Sequence, residues 1–269
     1  MVLAELIPDG DHQFQMRFQR GRFADFFGPS EQRGLLLQQR RHWLRGAPDK
    51  YAALLPEGQA LLEAAIALAR SAGDAPNTLS EGNAWHRCLA LGEWWEPDFL
   101  LLGPDAAGEI RLWAACVCFP SSWNLDEKMG RPIEQIHGVV PGLNQTIGHQ
   151  IHQFLARLKP GISWERTNWG LSRSPELNQH PHRQLPRLDA AAELSDVWLR
   201  VEHQSLVALG EGNGILFGIR LRIHPLRDVA ADPLARPRLI RALATMPEPM
   251  AAYKGLGTAR GRILQLLEA

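Results

Sequence analysis

The sequence predicts an α+β chain, with an antiparallel sheet of about five strands, helices inserted after the second strand, and helical extensions at both ends. Short apolar runs of strand length recur between residues 99 and 223, and a helical period breaks into them between 124 and 158. Helix-forming stretches flank this core on both sides.

The first element is helical. Leu54 to Arg70 is rich in Ala and Leu, which lose little side-chain entropy in a helix. Ser71 to Ser80 then collects Gly, Asp, Pro and Asn and reads as a loop. Phe99 to Leu102 and Ile110 to Phe119 are apolar runs joined by Gly103-Pro-Asp-Ala-Ala-Gly108, the pattern of two strands meeting at a turn. From Asn124 to His137 the spacing turns helical, with Met129, Ile133 and Ile136 on one side and Asp126 and Glu127 near the start, where the helix dipole favours carboxylates. Gly138-Val-Val-Pro-Gly142 ends that helix. Leu143 to Leu158 places Leu143, Ile147, Ile151, Phe154, Leu155 and Leu158 in one stripe, and Pro160-Gly161 stops it. Trp164 to Leu171, Val197 to Val207 and Ile215 to Ile223 are strand-like, the last two alternating apolar with polar residues and joined by Gly210-Glu-Gly-Asn-Gly214. Pro233 to Glu268 has helical spacing broken by Pro237, Pro247 and Pro249, which predicts short helices.

The order strand, strand, helices, strand, strand, strand matches a PAS-type fold, in which the inserted helices and one sheet face enclose a ligand cavity. The expected divisions are a helical extension over 1–80, a PAS-like core over 81–230, and a C-terminal helical extension over 231–269.

Composition removes several classes of function. With 269 residues, 45% of them hydrophobic, the chain can bury a large core. Lys and Arg balance Asp and Glu at 29 each, so no excess charge draws it to nucleic acid or an anionic membrane. The basic run Gln39-Arg-Arg-His-Trp-Leu-Arg45 reads as the solvated face of a helix. Cys88, Cys116 and Cys118 make neither a disulfide framework nor a CxxC site. No apolar leader or stretch of about 18 apolar residues occurs, so the expected location is the cytoplasm.

Six short motifs in order carry a resemblance. They are Cys118-Phe-Pro-Ser-Ser-Trp123, Lys128-Met-Gly-Arg-Pro132, Ile136-His-Gly-Val-Val-Pro-Gly142, Arg166-Thr-Asn-Trp169, Leu199-Arg-Val-Glu-His-Gln204 and Tyr253-Lys-Gly-Leu256. The likeness covers roughly residues 90 to 258, and the chain resembles the heme-dependent oxidative N-demethylase alpha-subunit-like proteins. The resemblance implies a heme-binding PAS domain that demethylates a small secondary amine with dioxygen. It also implies electrons from a separate flavin and iron–sulfur reductase. The chain has neither a Rossmann glycine fingerprint nor the cysteines of an iron–sulfur cluster, which fits dependence on such a partner and equally fits a protein needing no electrons.

Heme needs one neutral imidazole at an apolar wall, and ten histidines compete for the role. His137 is the first choice as metal ligand, since it ends a short amphipathic helix beside a rigid turn and lies in the family's motif; its alternative is a helix-capping or core histidine. The expected cofactor walls are Phe119, Trp123, Val140, Pro141, Asn168, Trp169 and Phe217. His149 and His152 are three apart but point away from their apolar stripe and read as solvated, as do His180 and His182 in their loop. His203 alternates with Val201 and Val207 on the side expected to face the cavity, while Arg200, Glu202 and Gln204 take the other side. The resembled family more often has arginine where His203 stands, so His203 enters as a distal donor, a second candidate ligand or a satisfied core residue. Glu202 and Arg166 complete the expected catalytic set, the carboxylate to hold or deprotonate an ammonium; for Glu202 a structural ion-pair ladder is the competing reading.

Three functions follow from these residues: an amine-oxidising heme enzyme, a heme-based gas or redox sensor without turnover, and a PAS-like scaffold for some other apolar ligand.

Overall fold

The computed structural model describes residues 2–76, 79, 82–210 and 214–269. The hairpin loop expected at 210–214 and the loop expected at 71–80 therefore lie partly outside the described residues.

The N-terminal part runs β1 (Gln19–Gly21), α1 (Phe23–Phe27), α2 (Arg33–Gly46), α3 (Pro48–Tyr51), β2 (Ala52–Leu54), α4 (Gln59–Ser71) and α5 (Ala84–Trp94). Next come β3 (Asp98–Pro104), β4 (Ile110–Cys116), α6 (Ile133–His137), α7 (Leu143–Ala156), β5 (Ser163–Ser172), β6 (Trp198–Leu209) and β7 (Gly214–Pro225). The chain closes with α8 (Leu226–Ala231), α9 (Ala235–Ala244), α10 (Glu248–Tyr253) and α11 (Arg260–Glu268).

Mixed helix and sheet is as expected, but among the described residues the sheet has seven strands rather than five, ordered β1-β5-β6-β7-β3-β4-β2 with every pairing antiparallel. The two additions are its edges, and both come from the N-terminal segment read as helical. β1 and β2 have three residues each, too few for a period of two to register in the sequence. The helix expected over Asn124 to His137 shrinks to α6. Gly130 takes a left-handed φ of 70° and Pro132 forces the preceding residue toward extended backbone, so no helix passes through them. The helix expected from Leu54 starts only at Gln59, because Pro56 opens a separate turn.

Two faces of the sheet bury different partners. One carries Leu100, Leu102, Ala115, Leu206, Ile215 and Phe217 and is covered by α6 and α7 through Ile133, Ile136, Ile151, Phe154 and Leu155. The other is covered at one end by α1, α2, α4 and α5, and at the other end by the C-terminal helices through Val229, Leu239, Leu243 and Ile263. Gly218 permits the first of these contacts: a Cβ there would sit 2.6 Å from Phe27 Cζ.

Buried ion pairs fasten the N-terminal helices to the sheet. Arg40, expected on a solvated helix face, is fully buried; its Nη1 lies 2.6 Å from Asp98 Oδ1 and its Nε donates to the Gly92 carbonyl. Its neighbours Arg41 and Arg45 remain outside beside Glu93. Glu96 accepts from Ser30 and from Arg220 of β7, whose guanidinium also donates to the carbonyls of Phe26 and Gly28. No described helix is long and apolar enough to cross a membrane.

Candidate functional site

β5 and β6 pair in register, with Asn168 opposite Glu202 and Arg166 opposite Gln204. Trp164 and Leu206 on these strands belong to the core beneath α6 and α7. The two-residue period of a strand therefore turns Arg166, Asn168, Glu202 and Gln204 to that same face.

Glu202 is held from three sides. Ser121 Oγ donates to its Oε1 at 2.7 Å, and Asn168 Nδ2 and Gln204 Nε2 donate to its Oε2 at 3.2 and 3.0 Å. Ser121 in turn accepts from Arg200 Nε at 2.8 Å. Arg200 spends its other donors on the carbonyls of Phe119, Glu176 and Leu177, and burial pulls its pKa down to about 10 against the opposing pull of Glu202.

Arg166 is differently placed. Among the described residues its guanidinium meets no carboxylate or carbonyl at hydrogen-bonding distance, and it lies 5.7 Å above the Phe18 ring. Burial lowers its pKa while Glu202 raises it. A half-buried cation without a bonded anion is costly, and a carboxylate would relieve that cost.

His137 comes to the same place from the helical cover. It shares one face of α6 with Ile133 and Ile136, and its carbonyl accepts from Val140 N–H at 2.9 Å, which starts the turn into α7. Asn144 Nδ2 closes that turn onto the Glu134 carbonyl at 2.8 Å. The imidazole has no hydrogen-bond partner among the described residues. Burial, then the positive charges of Arg166 and Lys128, and His152 push its pKa down to about 4. At neutral pH it is an uncharged ring with one nitrogen lone pair to give.

Aromatic groups pack around these side chains. Phe18 stacks on Phe154 at 4.4 Å, Phe154 meets Trp164 edge-on at 5.9 Å, and Lys128 Nζ stands 5.3 Å over Trp123. A groove of about 220 Å³ opens against α6 between Lys128, Ile136 and Val139. That is below the roughly 300–1,000 Å³ of ligand pockets, and the groove's lining includes neither His137, Arg166 nor Glu202, so room for a porphyrin beside them requires the cover to shift outward. The cover is lightly held: α6 buries no residue fully and α7 only Ile147 and Leu155.

Residues 71–264 match the family described as haem-dependent oxidative N-demethylase, alpha subunit-like. The chain belongs to this family. The match takes in β3 to β7 and both helices of the cover, and the family's description names haem dependence.

The residues of this N-demethylase-like chain fit such a group in kind. Among the described residues no three His, Cys, Asp or Glu side chains stand together as a metal site. Heme asks less, because the porphyrin supplies four nitrogens and the protein one axial ligand. A neutral unpartnered imidazole, a nearby cation without a bonded anion and neighbouring aromatic rings are the groups present.

The expected site residues divide between the two faces. His137, Arg166, Asn168, Glu202, Trp123 and Phe217 share the face under α6 and α7. His203 does not: it lies on the opposite face, its ring 5.0 Å from Phe26 and its Nε2 2.9 Å from Glu165 Oε2. The expected orientation of β6 is thus reversed, and Glu202 rather than His203 faces the covering helices. The reason is that α1 packs on the side where Val201 and Val207 lie. Trp169 and Phe119 are also in the cores of the opposite side, and Val140 packs against the C-terminal core, with Pro141 half-exposed beside it. His149 and His152 are exposed as expected, whereas His180 is buried.

Several site residues escaped the sequence reading. Ser121 and Lys254 stand inside the quoted motifs, which was the available signal. Lys254 Nζ donates to the Trp169 carbonyl at 2.7 Å; burial lowers its pKa, Glu202 raises it and Arg166 lowers it, so it borders the same charge cluster. Phe18 had no signal, since it lies in irregular chain before β1.

Proposed function

We propose that the chain holds heme through His137 and oxidises a small secondary amine with dioxygen, taking electrons from a separate flavin and iron–sulfur reductase. The observation that carries this reading is the unpartnered neutral imidazole of His137 close enough to the unpaired guanidinium of Arg166 for that charge to lower its pKa, with the Phe18 ring beside the guanidinium.

In this reading His137 would hold the heme iron, and Arg166 with Lys128 would take the propionates. Heme bound there would supply the activation of dioxygen and the oxidation of the amine. Glu202 accepts the ammonium form of the substrate, desolvated against Phe217 and Trp123, and takes its proton. Asn168, Gln204 and Ser121 fix the direction of the carboxylate, so little reorganisation accompanies that transfer. A PAS-type scaffold is part of the reading. Its support is that the five long strands run β5-β6-β7-β3-β4 with the helical cover inserted between β4 and β5.

Glu202 also favours an enzyme over a gas sensor, since a positioned carboxylate on the cofactor's face serves an amine and not a neutral diatomic gas. The test is turnover. Heme-loaded protein with a chemical or enzymatic reductant in air should consume dimethylamine and release formaldehyde. Binding of carbon monoxide or nitric oxide with no amine loss under any reductant would favour the sensor.

A further inference from the structure

The end of α10 brings two more polar side chains, Tyr253 and Lys254, to the rim of the Glu202 site. β1 covers β5 only as far as Glu165, so backbone groups farther along that edge are open to side chains. Lys254 takes one of them: its Nζ donates to the Trp169 carbonyl at 2.7 Å and stands 5.3 Å over the Trp169 ring. The preceding residue of the strand is Asn168, whose Nδ2 donates to Glu202 at 3.2 Å. An ammonium has three donors, so two remain on Lys254 after the bond to Trp169. The Tyr253 hydroxyl has no hydrogen-bond partner among the described residues. The rim is open to solutes, since Tyr253 is 48% exposed and Lys254, Arg166 and Glu202 each keep accessible surface.

Charge here does not balance once an amine is bound. Among the described residues Glu202 is the one carboxylate whose charge reaches Lys254, Arg166 or Tyr253. Its oxygens accept from Ser121, Asn168 and Gln204, all neutral, so neither cation is bonded to it. With Arg166 and Lys128 given to the propionates, Lys254 and Glu202 offset one another. An ammonium seated on Glu202 takes up that one anion and leaves Lys254 a half-buried cation with none. A substrate that carries its own carboxylate restores the balance, because it brings one charge of each sign.

We propose that Lys254 and Tyr253 form a carboxylate subsite beside Glu202, so that the amine taken here is an N-methylated amino acid. Its ammonium meets Glu202, and its carboxylate accepts from the two spare N–H groups of Lys254 and from the Tyr253 hydroxyl. The inference rests on the amine-oxidising reading of this site and narrows its substrate class. N-methylglycine, dioxygen, two electrons and two protons give glycine, formaldehyde and water, the electrons coming from the reductase.

N-methylglycine and dimethylamine are the probes, on the heme-loaded whole chain. Formaldehyde release should favour N-methylglycine in kcat/KM by about tenfold or more, chiefly through KM. Lys254→Met keeps the apolar stem and should cut the ratio of the two kcat/KM values by about 10–100-fold, with Lys254→Arg restoring part of it. Tyr253→Phe should cut the ratio by about fivefold. If Lys254 only clamps the Trp169 carbonyl, both amines lose alike in Lys254→Met and the ratio stands still, which overturns the inference. Equal or better use of dimethylamine by the unsubstituted protein overturns it too. Should neither amine be oxidised, the amine-oxidising reading fails and calorimetry decides the subsite. Saturable binding of N-methylglycine that Lys254→Met loses supports it, and no binding to the unsubstituted protein overturns it. If Lys254→Met does not fold, Tyr253→Phe and the unsubstituted protein decide between the same outcomes.

Discussion

Arg200 and Glu202 are joined through one hydroxyl: the guanidinium donates to Ser121 Oγ at 2.8 Å and Ser121 donates to Glu202 at 2.7 Å. The relay crosses from β6 to the segment after β4, where Ser122 takes a left-handed φ of 63°. Ser121→Ala removes a donor and an acceptor together. It should cost about 1–2 kcal/mol in denaturant unfolding and lower turnover without displacing the heme spectrum, because the carboxylate loses its direction while His137 is untouched.

Glu96 sets an acid limit on stability. Burial raises its pKa, but the hydroxyl and N–H of Ser30 and the Arg220 guanidinium outweigh it, so the folded value lies below the ordinary one. Its contribution is therefore complete above the unfolded value of about 4.3 and is lost as pH falls through the folded value. Glu96→Gln should lose about 3 kcal/mol at pH 7. Its stability should fall less steeply below pH about 4.3 than that of the unsubstituted chain, so the two curves converge in acid-unfolding series.

Two adjacent arginines of α2 should behave oppositely. Removing the partner of Arg40 by Asp98→Ala leaves a buried guanidinium uncompensated and takes the acceptor from the Cys118 and Phe119 amides. The expected loss is about 3–5 kcal/mol. Arg41→Ala, whose side chain is 47% exposed beside Glu93, should stay within about 0.5 kcal/mol in guanidinium unfolding.

Neighbours on β6 separate the two sheet faces in function. Glu202→Gln should lower kcat for amine oxidation by about a hundredfold. His203→Ala, on the other face against Phe26 and Glu165, should leave the heme spectrum unchanged. A heme band that moves in His203→Ala would return that residue to the ligand question.

β6 and β7 were legible because twelve residues each supply several turns of a two-residue period, and β3 and β4 as continuous apolar runs joined by a turn. The stripe of α7 was legible for the same reason at its own period. β1 and β2 were not, since three residues carry no period, and α6 was overextended because Met129 continues the apolar spacing across Gly130 and Pro132. Alternation placed Glu202 and His203 on opposite faces correctly, but it says nothing about which face is covered by which helices. That choice is made by Phe26 and Phe27, whose seat over Gly218 is a tertiary fact. Arg40 was missed similarly: a basic run looks solvated until a strand end brings Asp98 beneath it.

Ligation of heme by His137 would be read from the absorption spectrum. Heme-reconstituted protein should show a Soret band that shifts on reduction with dithionite, and His137→Ala should displace or abolish it while folding normally by circular dichroism. An identical band in the unsubstituted and His137→Ala proteins, or no band in either, would contradict the account.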